Sequence, residues 1–330
     1  MDHKTYLVTG AAGFVGSHLV DLLLSEGHSV HAVDNLSTGK LTNLNLPRPG
    51  LSNWCGPPIE NFSSDSPLFN SLGTEIDFIF HLASAVGVKN IMDNPLGSIE
   101  NIINGTKRML DVATIKNAQI LITSTSEVYG KSDEIPFKED GDVQYGPTSN
   151  YRWSYAYAKA LDEMMALGYR KQHNTKVNIV RLFNTVGPRQ SPDYGMVLPR
   201  FVDAALKQQP LTVYGSGYQT RCFGHVKDVV KALYTISNEP KCEGEIINIG
   251  SNEEITIREL AEKVLRIASS NSHIIHVNPK TVYTEGFEDM HRRVPSIEKV
   301  YTLTGWEPSY TLEEIIRDTI QYRKTVLKLD

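Results

Sequence analysis

The residues best suited to proton chemistry lie in Ser124-Thr125-Ser126-Glu127-Val128-Tyr129-Gly130 and in Tyr155-Ala-Tyr-Ala-Lys159. Tyr155 and Lys159 stand at i and i+4, so on a helix both side chains share one face. An ammonium beside a phenol favours the phenolate, which would make Tyr155 a base usable near neutral pH. The apolar run 119–123 predicts a buried strand feeding the first segment. Thr125 and Glu127 would then sit at a strand's carboxyl end, where open α/β sheets bind ligands. Alone, Tyr-x-x-x-Lys is a weak signal. It gains weight from what precedes it.

A strand over 4–9 leads into Gly10-Ala-Ala-Gly13-Phe14-Val-Gly16, followed by a helical pattern through Leu19, Leu22 and Leu23. Strand, glycine turn and helix arrive in the order a dinucleotide site requires. The glycines let the backbone approach a pyrophosphate, whose charge rests on the helix N-terminus. The next strand, 29–33, ends at Asp34, close to the expected spacing of about 20 residues. A carboxylate there accepts from the adenosine ribose hydroxyls and repels a 2′-phosphate. No arginine follows Asp34 directly, so NAD is expected rather than NADP.

The rest of the chain must position these groups. Strands are expected near 53–55, over 75–81 and over 176–183, the last delivering Asn184 and Gly187-Pro188-Arg189. Asn94-Pro95 reads as the start of a helix reaching about Ile115. The helix bearing Tyr155 should present Leu161, Met164, Met165 and Leu167 as its apolar face. Beyond Arg189 the alternation weakens, with helices expected over 198–208 and 226–237 and a strand over 211–214. Thr256…Glu259 and Thr311…Glu314 each match a capping box, so two further helices start there. The expected fold is a doubly wound parallel-sheet Rossmann domain over 1–185, with a smaller mixed α/β substrate-binding cap over 186–330. The chain is expected to cross between the two more than once.

With 330 residues and 40% hydrophobic content the chain can bury a large core. A net charge of −5 without a basic block gives no reason to expect nucleic acid or an anionic membrane as partner. The three cysteines, Cys55, Cys222 and Cys242, show no zinc or disulfide spacing and read as buried, inert thiols. No metal is expected. No apolar run approaches the roughly 18 residues of a membrane span, and no signal-type segment opens the sequence, so a cytoplasmic protein is expected. His81 and Trp153 read as structural.

Together the glycine turn, Asp34, Thr125 and the Tyr155/Lys159 pair resemble an extended short-chain dehydrogenase/reductase acting on nucleotide sugars. The likeness covers nearly the whole chain. Further matches are His81-Leu82-Ala83-Ser84, Arg181-Leu-Phe-Asn184, Tyr214-Gly-Ser-Gly-Tyr-Gln-Thr-Arg221, His225-Val-Lys-Asp228 and Gly305-Trp-Glu-Pro308. The resemblance implies cofactor contacts from Gly10, Gly13, Phe14, Gly16, Asp34, Asn35, Leu82, Ala83, Tyr155 and Lys159. It implies that Tyr155 deprotonates a sugar 4-hydroxyl while NAD accepts the C4 hydride, with Thr125 bonded to the same oxygen. Asn184 and Arg221 would hold the nucleotide diphosphate, and Tyr214 would also bind the substrate. A homodimer through the helices near Asn94 and Tyr155 is implied as well, with Ile99, Ile102 and Ile103 as apolar candidates.

The Thr-Ser-Glu-Val-Tyr-Gly segment also resembles UDP-glucuronate decarboxylases, as do 146–153 and 286–297. That implies roles for Ser126, Glu127 and Arg293 at the reacting carbon, with Arg189 and Arg200 as other partners for a carboxylate. UDP-glucuronate decarboxylase is the first reading. A C4 epimerase, a 4,6-dehydratase or 4-dehydrogenase, and a non-catalytic nucleotide-sugar-binding protein remain as alternatives. The sequence departs from the family at Ser126, where one dehydratase type has Asp, and at Ile102, where Asn is common. Gly56-Pro-Pro-Ile59 stands where an adenine-contacting Asp is usual.

Overall fold

The computed structural model describes residues 2–55, 59, 75–84, 93–193, 196–278, 281 and 290–329. Its elements begin with β1 (Thr5–Thr9), α1 (Phe14–Ser25), β2 (Ser29–Asp34), β3 (Leu51–Cys55) and β4 (Phe78–His81). Next come α2 (Pro95–Lys116), β5 (Gln119–Thr125), α3 (Ser154–His173), β6 (Val177–Leu182) and β7 (Thr185–Val186). Then follow α4 (Val197–Leu206), β8 (Leu211–Tyr214), β9 (Thr220–Cys222), β10 (Gly224–His225), α5 (Val226–Asn238) and β11 (Ile246–Ile249). The last are β12 (Glu254–Thr256), α6 (Ile257–Ile267), β13 (Ile274–Val277), α7 (Glu298–Thr304) and α8 (Leu312–Leu327).

Seven strands form one parallel sheet in the order β11-β6-β5-β4-β1-β2-β3. The order reverses between β1 and β4, whose ends meet at Thr9 and His81. A crevice opens at such a switch point, outside the strands' carboxyl ends. Alternation along β1 sends Tyr6 and Val8 to the face packed by α1 and α5, and Leu7 to the face packed by α2 and α3. A separate core holds Phe201, Leu260 and Ile315, joining α4, α6 and α8.

The stretch 186–330 divides between these cores. β11 is the seventh strand of the sheet, and α5, Val300 and Trp306 belong to its core. Trp306 donates its indole N–H to the Asp228 carbonyl at 3.2 Å, while the Asp228 carboxylate accepts from Ser309 N and Tyr310 N, both at 3.0 Å. Two separated sequence motifs thus form one clasp. Both expected capping boxes are present, at Thr256/Glu259 and Thr311/Glu314.

Helix α3, which bears Tyr155, corrects the sequence expectation. Leu161, Met164 and Leu167 are exposed, and only Met165 packs partly on the core. The buried face carries Ala156, Ala158, Lys159, Asp162, Glu163 and Ala166. Charged groups can occupy it because each finds a partner. Arg181 on β6 donates to Glu163 through Nε at 3.0 Å and Nη2 at 2.8 Å, and Ser124 donates to the same carboxylate. This clasp fixes α3 against the end of β5, where Thr125 stands.

Candidate active site

The carboxyl ends of the strands and the cap enclose one cleft of about 1380 Å³. Every site residue expected from the sequence lines it except Lys159, which is 2% exposed and lies behind the wall.

At one end the glycine turn is shaped for a dinucleotide. Gly10 has φ of 68°, and a Cβ on it would lie 2.9 Å from Ala83 N. A Cβ on Gly16 would collide with the Gly10 carbonyl. Helix α1 opens at Gly13 with neither a side-chain cap nor an acidic first turn, so its N–H groups remain available to a phosphate. The Asp34 carboxylate accepts from Ala12 N at 2.9 Å and Leu36 N at 2.7 Å, tying the turn to the end of β2. A carboxylate has lone pairs to spare for ribose hydroxyls. Phe14, Asn35, Leu82 and Ala83 line the same end. These residues fit the dinucleotide cofactor. Asp34→Ala should narrow the preference for NAD over NADP by about 1–3 kcal/mol, measured by calorimetry, as a charged acceptor is lost and repulsion is relieved. Equal binding of both cofactors by the unaltered protein would overturn the assignment. The region where the family has an adenine-contacting Asp lies largely outside the described residues.

The reacting centre follows β5. Thr125 Oγ1 accepts from Glu127 N at 3.2 Å, which caps a short 3₁₀ turn and aims Glu127 into the cleft. The hydroxyls of Thr125 and Ser84 face the Tyr155 phenol. Burial, then the charges of Glu127 and Asp162, push the Tyr155 phenol above its ordinary pKa despite those hydroxyls. Lys159 is not among the groups that shift Tyr155, and its Nζ is paired with Asp162 at 2.8 Å. His81 stays neutral, its pKa pushed down to about 3 by burial and then by Lys159, and its Nδ1 bonds Thr9 Oγ1 at 2.8 Å.

Glu127 lies between two guanidiniums, Arg293 at 2.7 Å and Arg152 at 2.6 Å. Burial opposes its charge, but Arg293 and then Arg152 outweigh that and hold its carboxyl at about 2. Arg293 also reaches Ser126 Oγ at 3.5 Å, and its Nε makes no hydrogen bond. Arg152, which lines the cleft and pairs with Glu127, is a candidate that sequence reasoning missed. Its signal was its place three residues before Tyr155, in the 3₁₀ turn 151–153 that leads into α3.

Farther along, Arg221 donates to the Thr220 and Met290 carbonyls at 2.7 and 2.9 Å, and Asn184 to the Cys222 carbonyl at 3.2 Å. Arg200 donates to Tyr214 Oη at 2.7 Å, and Arg189 pairs with Asp21 at 2.7 Å. Arg200 and Arg189 are thus held by other partners, and Arg152 stands beside Arg293 instead. Ile102 is core, 2% exposed. Cys222 and Cys242 are buried thiols, pushed by burial up to about 12 and about 11. Among the described residues no group of His, Cys, Asp and Glu is arranged to hold a metal, and no helix is long and apolar enough to cross a membrane.

Residues 7–319 match the family described as GDP-mannose 4,6 dehydratase. The chain is 41% identical, over 98% of both chains, to a UDP-N-acetyl-alpha-D-glucosaminuronate decarboxylase of Bacillus cytotoxicus. It is 39% identical to UDP-glucuronic acid decarboxylase 1 of Danio rerio, over 97% of this chain and 73% of that one. A UDP-glucuronic acid 4-epimerase from Bacillus cereus, solved with UDP-glucuronic acid and NAD, superposes with a TM-score of 0.85. Its identity is 27%, over 98% of this chain and 99% of that one.

Proposed function

We propose that this chain, which belongs to the GDP-mannose 4,6 dehydratase family of extended short-chain dehydrogenase/reductases, is an NAD-dependent decarboxylase of a UDP-linked hexuronate. The substrate is UDP-glucuronate or its 2-acetamido counterpart. The observation that carries this reading is the Arg152–Glu127–Arg293 triad facing Tyr155. Two nearly buried guanidiniums share one carboxylate, so these three groups carry an excess of positive charge. A sugar carboxylate would balance it; a neutral hexose would not. Two relatives that are decarboxylases of such uronates support the same choice.

When bound, the dinucleotide supplies the hydride acceptor and, later, the donor. Tyr155, steered by Thr125 and Ser84, takes the proton of the sugar 4-hydroxyl as C4 is oxidised. The resulting 4-ketone is β to the C6 carboxylate. Breaking the C5–C6 bond releases CO2 and leaves the electron pair as an enolate on the C4 oxygen, which the Tyr155 phenol stabilises. Arg152 and Arg293 orient the carboxylate, and a planar guanidinium suits that task. The incoming carboxylate displaces Glu127 from the guanidiniums, and burial then raises its affinity for a proton. We assign Glu127 the C5 proton: once displaced it takes up a proton from solvent and delivers it to C5, returning to the carboxylate, before the ketone is reduced.

Incubation with NAD and either UDP-uronate should give trapped CO2 and a UDP-sugar one carbon shorter by NMR. Inversion at C4 without CO2 would establish the epimerase instead. Turnover of neutral hexose nucleotides alone would remove the carboxylate role from Arg152 and Arg293.

We also propose a homodimer in which α2 and α3 pair with their copies. Tyr157, Leu161 and Met164, 38, 46 and 71% exposed, make an apolar stripe at i, i+4 and i+7 along α3. Ile102, by contrast, is spent on the core. Light scattering at micromolar concentration should give the mass of two chains; a single-chain mass would overturn this.

A further inference from the structure

Lys159 does not point into the cleft. Its Nζ lies 2.8 Å from Asp162 Oδ2, one turn further along α3, and the two side chains are 3% and 0% exposed. Asp162 Oδ1 makes no hydrogen bond, although the Thr106 hydroxyl on α2 faces the same carboxylate. A fully buried carboxylate with an unsatisfied oxygen is costly, and no packing need explains a carboxylate there. Its position one ion pair away from the Tyr155/Lys159 couple does explain it. An ammonium closely paired with an anion presents a dipole rather than a charge, and its field at a third group largely cancels.

We propose that Asp162 is a positioning residue that acts through Lys159, holding the ammonium behind the cleft wall and cancelling its charge so that Tyr155 stays a phenol at rest. Tyr155 then becomes a base only when Nζ is drawn off Asp162 toward the cleft, the direction in which a bound dinucleotide would meet it. The groups facing this couple from every side agree with a resting phenol. Glu127, after β5, adds a negative charge toward Tyr155, and Thr125 and Ser84 contribute neutral hydroxyls. His81, at the end of β4, faces Lys159 as a neutral ring. Glu163, the other carboxylate on this face of α3, is held by Arg181. Asp162 is thus the anion whose removal would free the lysine's charge.

The inference rests on Tyr155 as the proton acceptor, but not on the identity of the sugar. The test is a tyrosinate absorbance titration of cofactor-free protein, subtracting the same protein carrying Tyr155→Phe. Asp162→Asn keeps the shape and removes the charge. It should lower the Tyr155 midpoint by at least about one pH unit, tenfold in phenolate at fixed pH, and move the acid limb of kcat/KM the same way. Asp162→Ser, which keeps a hydroxyl beside Thr106, carries the same test if the asparagine variant does not fold. An unchanged Tyr155 midpoint, even with reduced turnover, would overturn the proposal and leave Asp162 a structural ion-pair partner. Failure of Tyr155 as the base would show differently, as full turnover by Tyr155→Phe.

Discussion

Tyr155→Phe should abolish net turnover of the UDP-uronate and suppress hydride transfer by about 10²–10⁴, the usual contribution of a positioned acid or base. The phenol is the titratable group that Thr125 and Ser84 both address in the cleft, so nothing nearby replaces it. Glu127 is held as an anion by two arginines, and Lys159 lies behind the wall. The ring packs as before without its hydroxyl, so binding of NAD and of the UDP-uronate should stay within a few-fold of the parent. Stopped-flow absorbance at 340 nm reads the first step and trapped CO2 the second; both should fall together. Retained NADH formation would mean that another group takes the 4-hydroxyl proton.

Glu127→Gln and Arg293→Ala should separate what Tyr155→Phe cannot. Each leaves Tyr155, Thr125 and Ser84 intact, so C4 oxidation should continue and NADH should accumulate. The step after oxidation should slow by about 10²–10⁴ in either variant: C5 protonation, read as the shortened UDP-sugar formed, in Glu127→Gln, and loss of CO2 in Arg293→Ala. In Glu127→Gln both guanidiniums stay available, so the uronate should bind at least as tightly. Its carboxylate then meets no competing anion, and the C5 proton donor is gone. In Arg293→Ala one of the two carboxylate contacts is lost and Glu127 stays on Arg152, so KM should rise as well. A paired charge is also left buried in each case, and removing one partner of such a pair costs about 3–5 kcal/mol of stability. Thermal melts must therefore accompany the kinetics. Formation of the shortened UDP-sugar at the parental rate in Glu127→Gln, or CO2 release at the parental rate in Arg293→Ala, would remove that residue from its step.

The sequence carried the local geometry of this protein. The spacing Gly10–Gly13–Gly16, the arrival of Asp34 at the end of β2 and the i, i+4 relation of Tyr155 and Lys159 are all short-range facts. Backbone periodicity turns such facts directly into position, and the structure has these groups around one switch point. The capping boxes at Thr256 and Thr311 were legible for the same reason. Less legible was β11, four residues that pair with β6, nearly seventy positions earlier.

Charge state and partner choice lay beyond the sequence. Apolar residues on α3 suggested a buried face that is in fact exposed, because the buried face is filled by Lys159, Asp162 and Glu163 with their partners. A lysine four residues from a tyrosine promised a lowered phenol, yet Asp162 pairs with the ammonium and Glu127 adds a negative charge toward the ring. The triad of Glu127, Arg152 and Arg293 joins three segments that no window of sequence contains. Local spacing fixes which side chains share a face. Which ion a buried charge meets, and hence whether it acts as acid, base or counterion, depends on distances and desolvation that arise only when the chain is packed.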